Sequence, residues 1–138
     1  MSLVFVYGTL KRGYGNNRLL KGQRFISPAR TVRPFLLTNC GFPYMIETTD
    51  KAYKHTPLPV TGEVWEADKQ SLESMDALEG VSYGHYRRAY IPVSFVEGVR
   101  YCYTYLAGKN QSEGEKELEH TLCNTFVDLD GKESYVWM

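Results

Sequence analysis

Apolar residues in this chain fall in short runs broken by glycine and proline. The first run, Leu3 to Val6, is β-branched and aromatic and stops at Gly8, the pattern of a buried strand that ends in an abrupt turn. Gly8 can take backbone angles closed to other residues, and Gly13 and Gly15 loosen the next turn. Tyr7, Gly8, Thr9 and Leu10 are therefore expected to present backbone N–H groups with little side-chain cover, a geometry that can hold an anion or an oxyanion. A plain strand-to-helix connection would use the same glycines. Asn16 or Asn17 is expected to cap a short helix from Arg18 to Lys21, stopped by Gly22.

Short strands are expected at Arg24 to Ile26, Thr31 to Leu37 and Tyr44 to Ile46, between Pro28, Pro34, Gly41 and Pro43. The polar stretch Glu47 to Pro59 reads as an exposed loop with His55 in solvent. Val60 to Ala67 alternates as a strand, with Val64 and Trp65 on opposite faces. Tyr86 to Val96 and Val99 to Ala107 read as an antiparallel pair joined at Glu97 and Gly98. The second of these puts Tyr101, Tyr103 and Tyr105 on one face and Cys102, Thr104 and Leu106 on the other. The tyrosine face can line a cavity, although cross-strand packing with hydroxyls at the surface is the commoner use of such a ladder. Past Gly108 a capping box at Ser112 to Glu115 and a thin Leu118, Leu122 stripe predict a peripheral helix, followed by a strand or docked end at SYVWM.

Between the strands lies DKQSLESMDALEG, a predicted amphipathic helix with Asp68 as N-cap, Leu72, Met75 and Leu78 as its apolar face and Gly80 as its stop. Glu79 follows Leu72 by seven positions and Met75 by four, so its carboxylate projects from the buried face. A charge aimed at a core costs several kcal/mol unless it is paired, hydrated or protonated. Three readings compete: a frayed last turn that lets Glu79 reach water, an ion pair with Arg87 or Arg88, or a carboxylate at a cavity whose pKa is raised into the neutral range. Asp76, three residues earlier, would raise that pKa further if the two shared a low-dielectric site.

Composition narrows the classes of partner. The 138 residues, 43% hydrophobic, suffice for one domain, with a core from 3 to 107 and a peripheral tail from 108 to 138. Sixteen basic residues balance sixteen acidic ones, which leaves no long-range field to recruit nucleic acid or an anionic membrane. No basic leader precedes a long apolar run and no segment approaches membrane-spanning length. Cys40, Cys102 and Cys123 are odd in number and far apart, which points to a reducing, cytoplasmic setting. His120 and Cys123 are close in sequence but lack a second ligand pair, so no metal site is expected.

Three blocks, in order, carry a resemblance: VYGTLKRG with Asn16 shortly after, TGEVWEAD running into LESMDALEG, and YRRAYIPV running into YCYTYLAG. Together they resemble the gamma-glutamylcyclotransferase-like superfamily, most closely its small gamma-glutamylamine cyclotransferase branch, and Gly41 to Tyr44 resembles a further family stretch. The resemblance implies a mixed α/β fold: a small twisted, barrel-like β-sheet with peripheral helices and one cavity at the strand ends. It implies Glu79 as the catalytic glutamate, Tyr105 at a pocket-facing position, and Tyr7, Gly8, Thr9 and Leu10 as the glycine turn that binds substrate.

The implied reaction cleaves a γ-glutamyl amide, such as γ-glutamyl-ε-lysine, by attack of the substrate's own α-amine on its γ-carbonyl. It releases 5-oxoproline and a free amine and needs no cofactor. A module that binds such a metabolite or a partner protein without turning it over is the alternative on the same fold. A hydrolase using Cys40 or Cys102 with a histidine lacks any recognised nucleophile motif.

Overall fold

The computed structural model describes residues 1–39, 43–47, 56–108 and 122–137. The opening apolar run forms β1 (Ser2–Val6), and the chain continues through β2 (Arg24–Thr31), β3 (Leu36–Asn39), β4 (Pro43–Ile46), β5 (Thr61–Ala67), the helix α1 (Lys69–Leu78), β6 (Tyr86–Phe95), β7 (Gly98–Ala107), β8 (Asn124–Val127) and β9 (Glu133–Val136). Five strands close into a barrel in the order β1-β5-β2-β6-β7. Neighbours are antiparallel except at the seam, where β7 returns beside β1 in parallel at Val4 and Tyr103. The mixed α/β, barrel-like architecture expected from the sequence is the one observed.

Some local expectations shift. β2 runs unbroken through Pro28, with a bulge between Phe25 and Ser27. Pairing to β6 starts only at Ala29, so the missing N–H of Pro28 interrupts no ladder on that side. The expected strand from Thr31 to Leu37 is split, because the chain turns at Val32 to Pro34 before β3 begins. The β6–β7 hairpin turns at Val96 and Glu97, and Gly98, at φ +98°, opens β7 opposite Phe95.

Along β7, Cys102, Thr104 and Leu106 are fully buried on one face. The tyrosine face grades from exposed Tyr101 to buried Tyr105, which α1 covers. Trp65 and Val64 occupy opposite faces of β5 and are both buried. The outer face is covered as well: Phe25 meets Trp65 edge-on at 5.4 Å, and the Arg12 guanidinium lies 3.7 Å from the Phe25 ring centre.

Beyond the barrel, β3 pairs with β4, and β8 pairs with β9. The β8–β9 ribbon is not merely peripheral. It buries Ser134 and Tyr135, joins Thr61 to Ser134 through their hydroxyls at 2.7 Å, and ties Asp128 to Arg30 at 2.7 Å. Cys102 is a free, buried thiol, and Cys123 is buried with its Sγ donating to the Thr38 carbonyl at 3.5 Å. Cys40, most of the loop after Glu47 including His55, the predicted helix after Ser112, and His120 lie outside the described residues. Among the described residues no helix is long and apolar enough to cross a membrane, and no group of three or more His, Cys, Asp or Glu side chains could hold a metal ion.

Candidate active site

α1 begins where Asp68 accepts a hydrogen bond from the Ser71 N–H at 2.7 Å, a cap worth about 1 kcal/mol. It ends at Leu78, with Glu79 as C-cap and Gly80 in the left-handed region at φ +64°. Leu72 and Met75 are buried, but Leu78 is 40% exposed, which corrects its assignment to the buried face. Helical geometry accounts for this: six residues after Leu72 the helix has drifted by about 120°, whereas seven residues bring Glu79 back to within about 20°. Leu78 thereby becomes a rim residue and Glu79 an inward one.

The Glu79 carboxylate lines a cavity of about 180 Å³ together with Tyr7, Gly8, Thr9, Leu10 and Tyr105. All six residues singled out from the sequence thus share one wall system. Neither arginine reaches Glu79. Arg88 pairs with Asp76 at 2.9 Å and Arg87 with Glu47. The last turn is not frayed either, because the Glu79 N–H donates to the Met75 carbonyl at 2.9 Å. Among the described residues nothing hydrogen-bonds or ion-pairs with the Glu79 side chain. Burial pushes its pKa up to about 7. Asp76 takes no part in that shift. Its carboxylate is turned to Arg88 and to the Tyr105 hydroxyl, which donates to it at 2.6 Å.

The glycine turn lines the same cavity as Glu79. Gly8 does not have a positive φ, so the expected conformational reason for a glycine is wrong. The actual reason is close approach: a Cβ at Gly8 would sit 2.5 Å from Pro43 Cγ. The Lys11 N–H closes the turn on the Gly8 carbonyl at 3.0 Å, while the N–H groups of Gly8, Thr9 and Leu10 donate to no partner among the described residues. Asn16 and Asn17 are not caps. They lie inside a 3-10 helix, Gly15–Leu20, whose N-cap position is Tyr14, and their amides reach back to Thr9 Oγ1 and to the Leu10 carbonyl, each at 2.8 Å.

Tyr7 is buried, its hydroxyl donates to the Tyr105 carbonyl, and burial raises its pKa well above the usual phenol value. Tyr105 offers its ring to the cavity while its hydroxyl is committed to Asp76. Burial, and then that hydrogen bond, raise its pKa strongly.

Seven further residues line the cavity that were not site candidates from the sequence: the apolar Phe5, Val6 and Leu78, and Asn16, Pro43, His85 and Tyr86. The Tyr86 hydroxyl donates to the Pro43 carbonyl at 2.7 Å, and His85 Nε2 lies 2.9 Å from the Tyr44 hydroxyl. The Gly41 to Tyr44 block was the available signal for Pro43. Nothing local marks His85, which enters because Gly80 and Gly84, both with positive φ, fold the chain back between α1 and β6.

A closed barrel with a cavity lined by an inward glutamate and a glycine turn defines a recognisable class of protein. The chain belongs to the gamma-glutamyl cyclotransferase, AIG2-like family, whose profile matches residues 4–123. It is 36% identical over 106 residues to gamma-glutamylaminecyclotransferase B of Danio rerio, covering 71% of this chain and 52% of that protein. It is 32% identical over 105 residues to the gamma-glutamylaminecyclotransferase of Homo sapiens, covering 70% and 65% respectively. The match therefore spans about half to two thirds of the length of these relatives. A crystal structure of an AIG2-like protein from Mus musculus superposes with a TM-score of 0.65 at 28% identity, covering 78% of this chain and 77% of that one.

Proposed function

We propose that this protein is a cyclotransferase that opens γ-glutamyl amides, with γ-glutamylamines such as γ-glutamyl-ε-lysine as the preferred class. The observation that carries the reading is Glu79: a half-buried carboxylate without a partner among the described residues, lining a cavity, with a pKa of about 7 and with the backbone of Gly8, Thr9 and Leu10 in the same lining.

The reaction is intramolecular. Near neutral pH the substrate α-amine is largely an ammonium and has no lone pair for attack. Glu79 takes a proton from it, and the freed amine attacks the γ-carbonyl carbon to close a five-membered ring. The carbonyl oxygen becomes an oxyanion, for which the Gly8, Thr9 and Leu10 N–H groups are the donors, shared with the substrate α-carboxylate. As the C–N bond breaks, Glu79 returns its proton to the leaving nitrogen. Of the three ammonium protons, one stays on the ring nitrogen, one passes through Glu79, and one leaves to water and is regained by the free amine after release. Water is not consumed. The enzyme gains by fixing a near-attack conformer, for which effective molarities of about 10⁵ M or more are known. Tyr105 supplies a wall that orients the glutamyl chain.

The amine preference is supported by the names of the relatives and by the VYGTLKRG block. The test is a panel of γ-glutamyl-ε-lysine, other γ-glutamyl amines and glutathione, with 5-oxoproline as the readout. Release from the amines with a larger kcat/KM than from glutathione is expected. A larger value for glutathione would overturn the substrate class, and no 5-oxoproline from any member would overturn the activity.

A further inference from the structure

The glycine turn lacks regular structure of its own. From Gly8 to Tyr14 the backbone is a chain of tight turns that runs into the 3-10 helix at Gly15, closed by Lys11 N–H to the Gly8 carbonyl at 3.0 Å, Tyr14 N–H to the Lys11 carbonyl at 3.2 Å and, at the helix entry, Asn17 N–H to the Tyr14 carbonyl at 3.1 Å. Gly13 adds a positive φ of +88°. Such a segment has many conformations to lose, so donors on it are preorganised only if the surroundings hold it. Asn16 and Asn17 grip Thr9 and Leu10 from one side, and Glu63 accepts from the Arg12 N–H and Nε at 3.0 and 3.2 Å.

The remaining two corners, Lys11 and Tyr14, are both held by Trp137. Lys11 is buried and its Nζ donates to the Trp137 carbonyl. The ammonium also lies 5.3 Å from the Tyr14 ring centre and 6.0 Å from that of Trp137. The Tyr14 and Trp137 rings pack 5.0 Å apart, and the Trp137 indole N–H donates to Asn39 Oδ1 at 3.3 Å. Trp137 directly follows β9, which is anchored by the Tyr135 N–H to the Pro59 carbonyl at 2.9 Å and by the Tyr135 hydroxyl to the Thr56 carbonyl at 2.7 Å. All of β8, β9 and Trp137 lies beyond the segment that matches the family, 4–123.

We infer that Trp137 is a positioning residue for the substrate-binding turn: the C-terminal ribbon carries its indole and carbonyl back onto Lys11 and Tyr14 and so holds the Gly8 to Leu10 N–H groups in place. The claim about turnover rests on the cyclotransferase reading above. The claim about the turn does not.

The experiment compares full-length wild type with Trp137→Ala, Trp137→Phe and Lys11→Met. The readouts are amide hydrogen exchange in a peptide covering residues 7–14, with β5 and β6 peptides as internal controls, and 5-oxoproline release from γ-glutamyl-ε-lysine. In Trp137→Ala, exchange at residues 7–14 should rise at least about tenfold while β5 and β6 stay protected. kcat/KM should fall about ten- to a hundredfold, with kcat as well as KM affected, because misplaced donors weaken the transition state as well as binding. Trp137→Phe, which keeps a ring against Tyr14 and Lys11, should recover most of both. If Trp137→Ala does not fold, Lys11→Met decides alone by the same exchange readout. Unchanged exchange at residues 7–14 overturns the inference, as does an equal rise in the β5 and β6 peptides, which would mark Trp137 as a general stabiliser. Wild type without any 5-oxoproline release overturns the proposed function, while the exchange comparison still decides the role of Trp137.

Discussion

Arg88 pairs with Asp76 at 2.9 Å, and this contact leaves Glu79, three residues further along, without a guanidinium. The two carboxylates lie near one another in sequence but have opposite environments. Asp76 is part-exposed, ion-paired and hydrogen-bonded by Tyr105, whereas Glu79 faces a cavity and is held near its protonation midpoint by burial. Environments that differ in this way separate a structural carboxylate from one able to exchange a proton at neutral pH.

Glu79→Gln keeps the size of the side chain but cannot take a proton. It should lower kcat by about 10²–10⁴-fold or more, equivalent to about 3–5.5 kcal/mol of barrier, with substrate affinity retained. In the wild type kcat/KM should rise with pH along an acid limb centred near 7, as Glu79 becomes the base. Initial rates of 5-oxoproline release across pH 5 to 8 measure both effects. Wild-type turnover in the glutamine variant would remove Glu79 from the mechanism.

The same carboxylate should burden the fold at high pH. Its folded pKa of about 7 stands above the ordinary 4.5, so between those values the unfolded chain gives up a proton that the folded chain keeps. Stability therefore falls as pH rises through this window, by an amount on the order of 3 kcal/mol once pH passes 7. Glu79→Gln, neutral in both states, should be more stable than wild type at pH 8 and equal to it near pH 4. Urea unfolding at the two pH values would read the difference, and equal stability at pH 8 would argue against a desolvated, unpaired carboxylate.

Gly8→Ala tests close approach rather than backbone conformation. The new methyl would lie 2.5 Å from the Pro43 ring, so Pro43 or the turn has to move. Overpacking of this kind typically costs about 1–3 kcal/mol, and here it also displaces the N–H donors, so the thermal midpoint and kcat/KM should fall together. A variant with unchanged activity would show that the turn geometry is not used.

Tyr105→Phe removes the hydroxyl from Asp76 but leaves the ring on the cavity wall. Loss of a hydrogen bond to a charged acceptor is worth about 1.5–3 kcal/mol, so stability should drop by roughly that amount or less, since Arg88 still pairs with Asp76. kcat should change by only a few fold. A hundredfold loss of kcat at unchanged stability would mean that the hydroxyl serves the substrate instead.

Features that depend on local periodicity were legible along the chain. β1 ending shortly before Gly8, α1 between its Asp68 cap and Gly80, and the inward direction of Glu79 all follow from local signals and from spacings of two and 3.6 residues, which the chain imposes wherever it packs. Leu78 shows the limit of reading such spacing loosely: three apolar residues at intervals of three drift off the buried face. Relationships between residues remote in sequence were set by how the elements pack. That Arg88 goes to Asp76 and not to Glu79 depends on where β6 passes α1, and Gly8 is required because Pro43 arrives from β4. Asn16 and Asn17 turn back to the glycine turn, His85 reaches the site from a segment with no local signal, and Trp137 reaches it from an apolar end whose docking place no spacing gives. Hydrogen bonds and ion pairs take whichever partner the closed barrel brings within reach, and barrel closure brings together ends of the chain that spacing along it cannot relate.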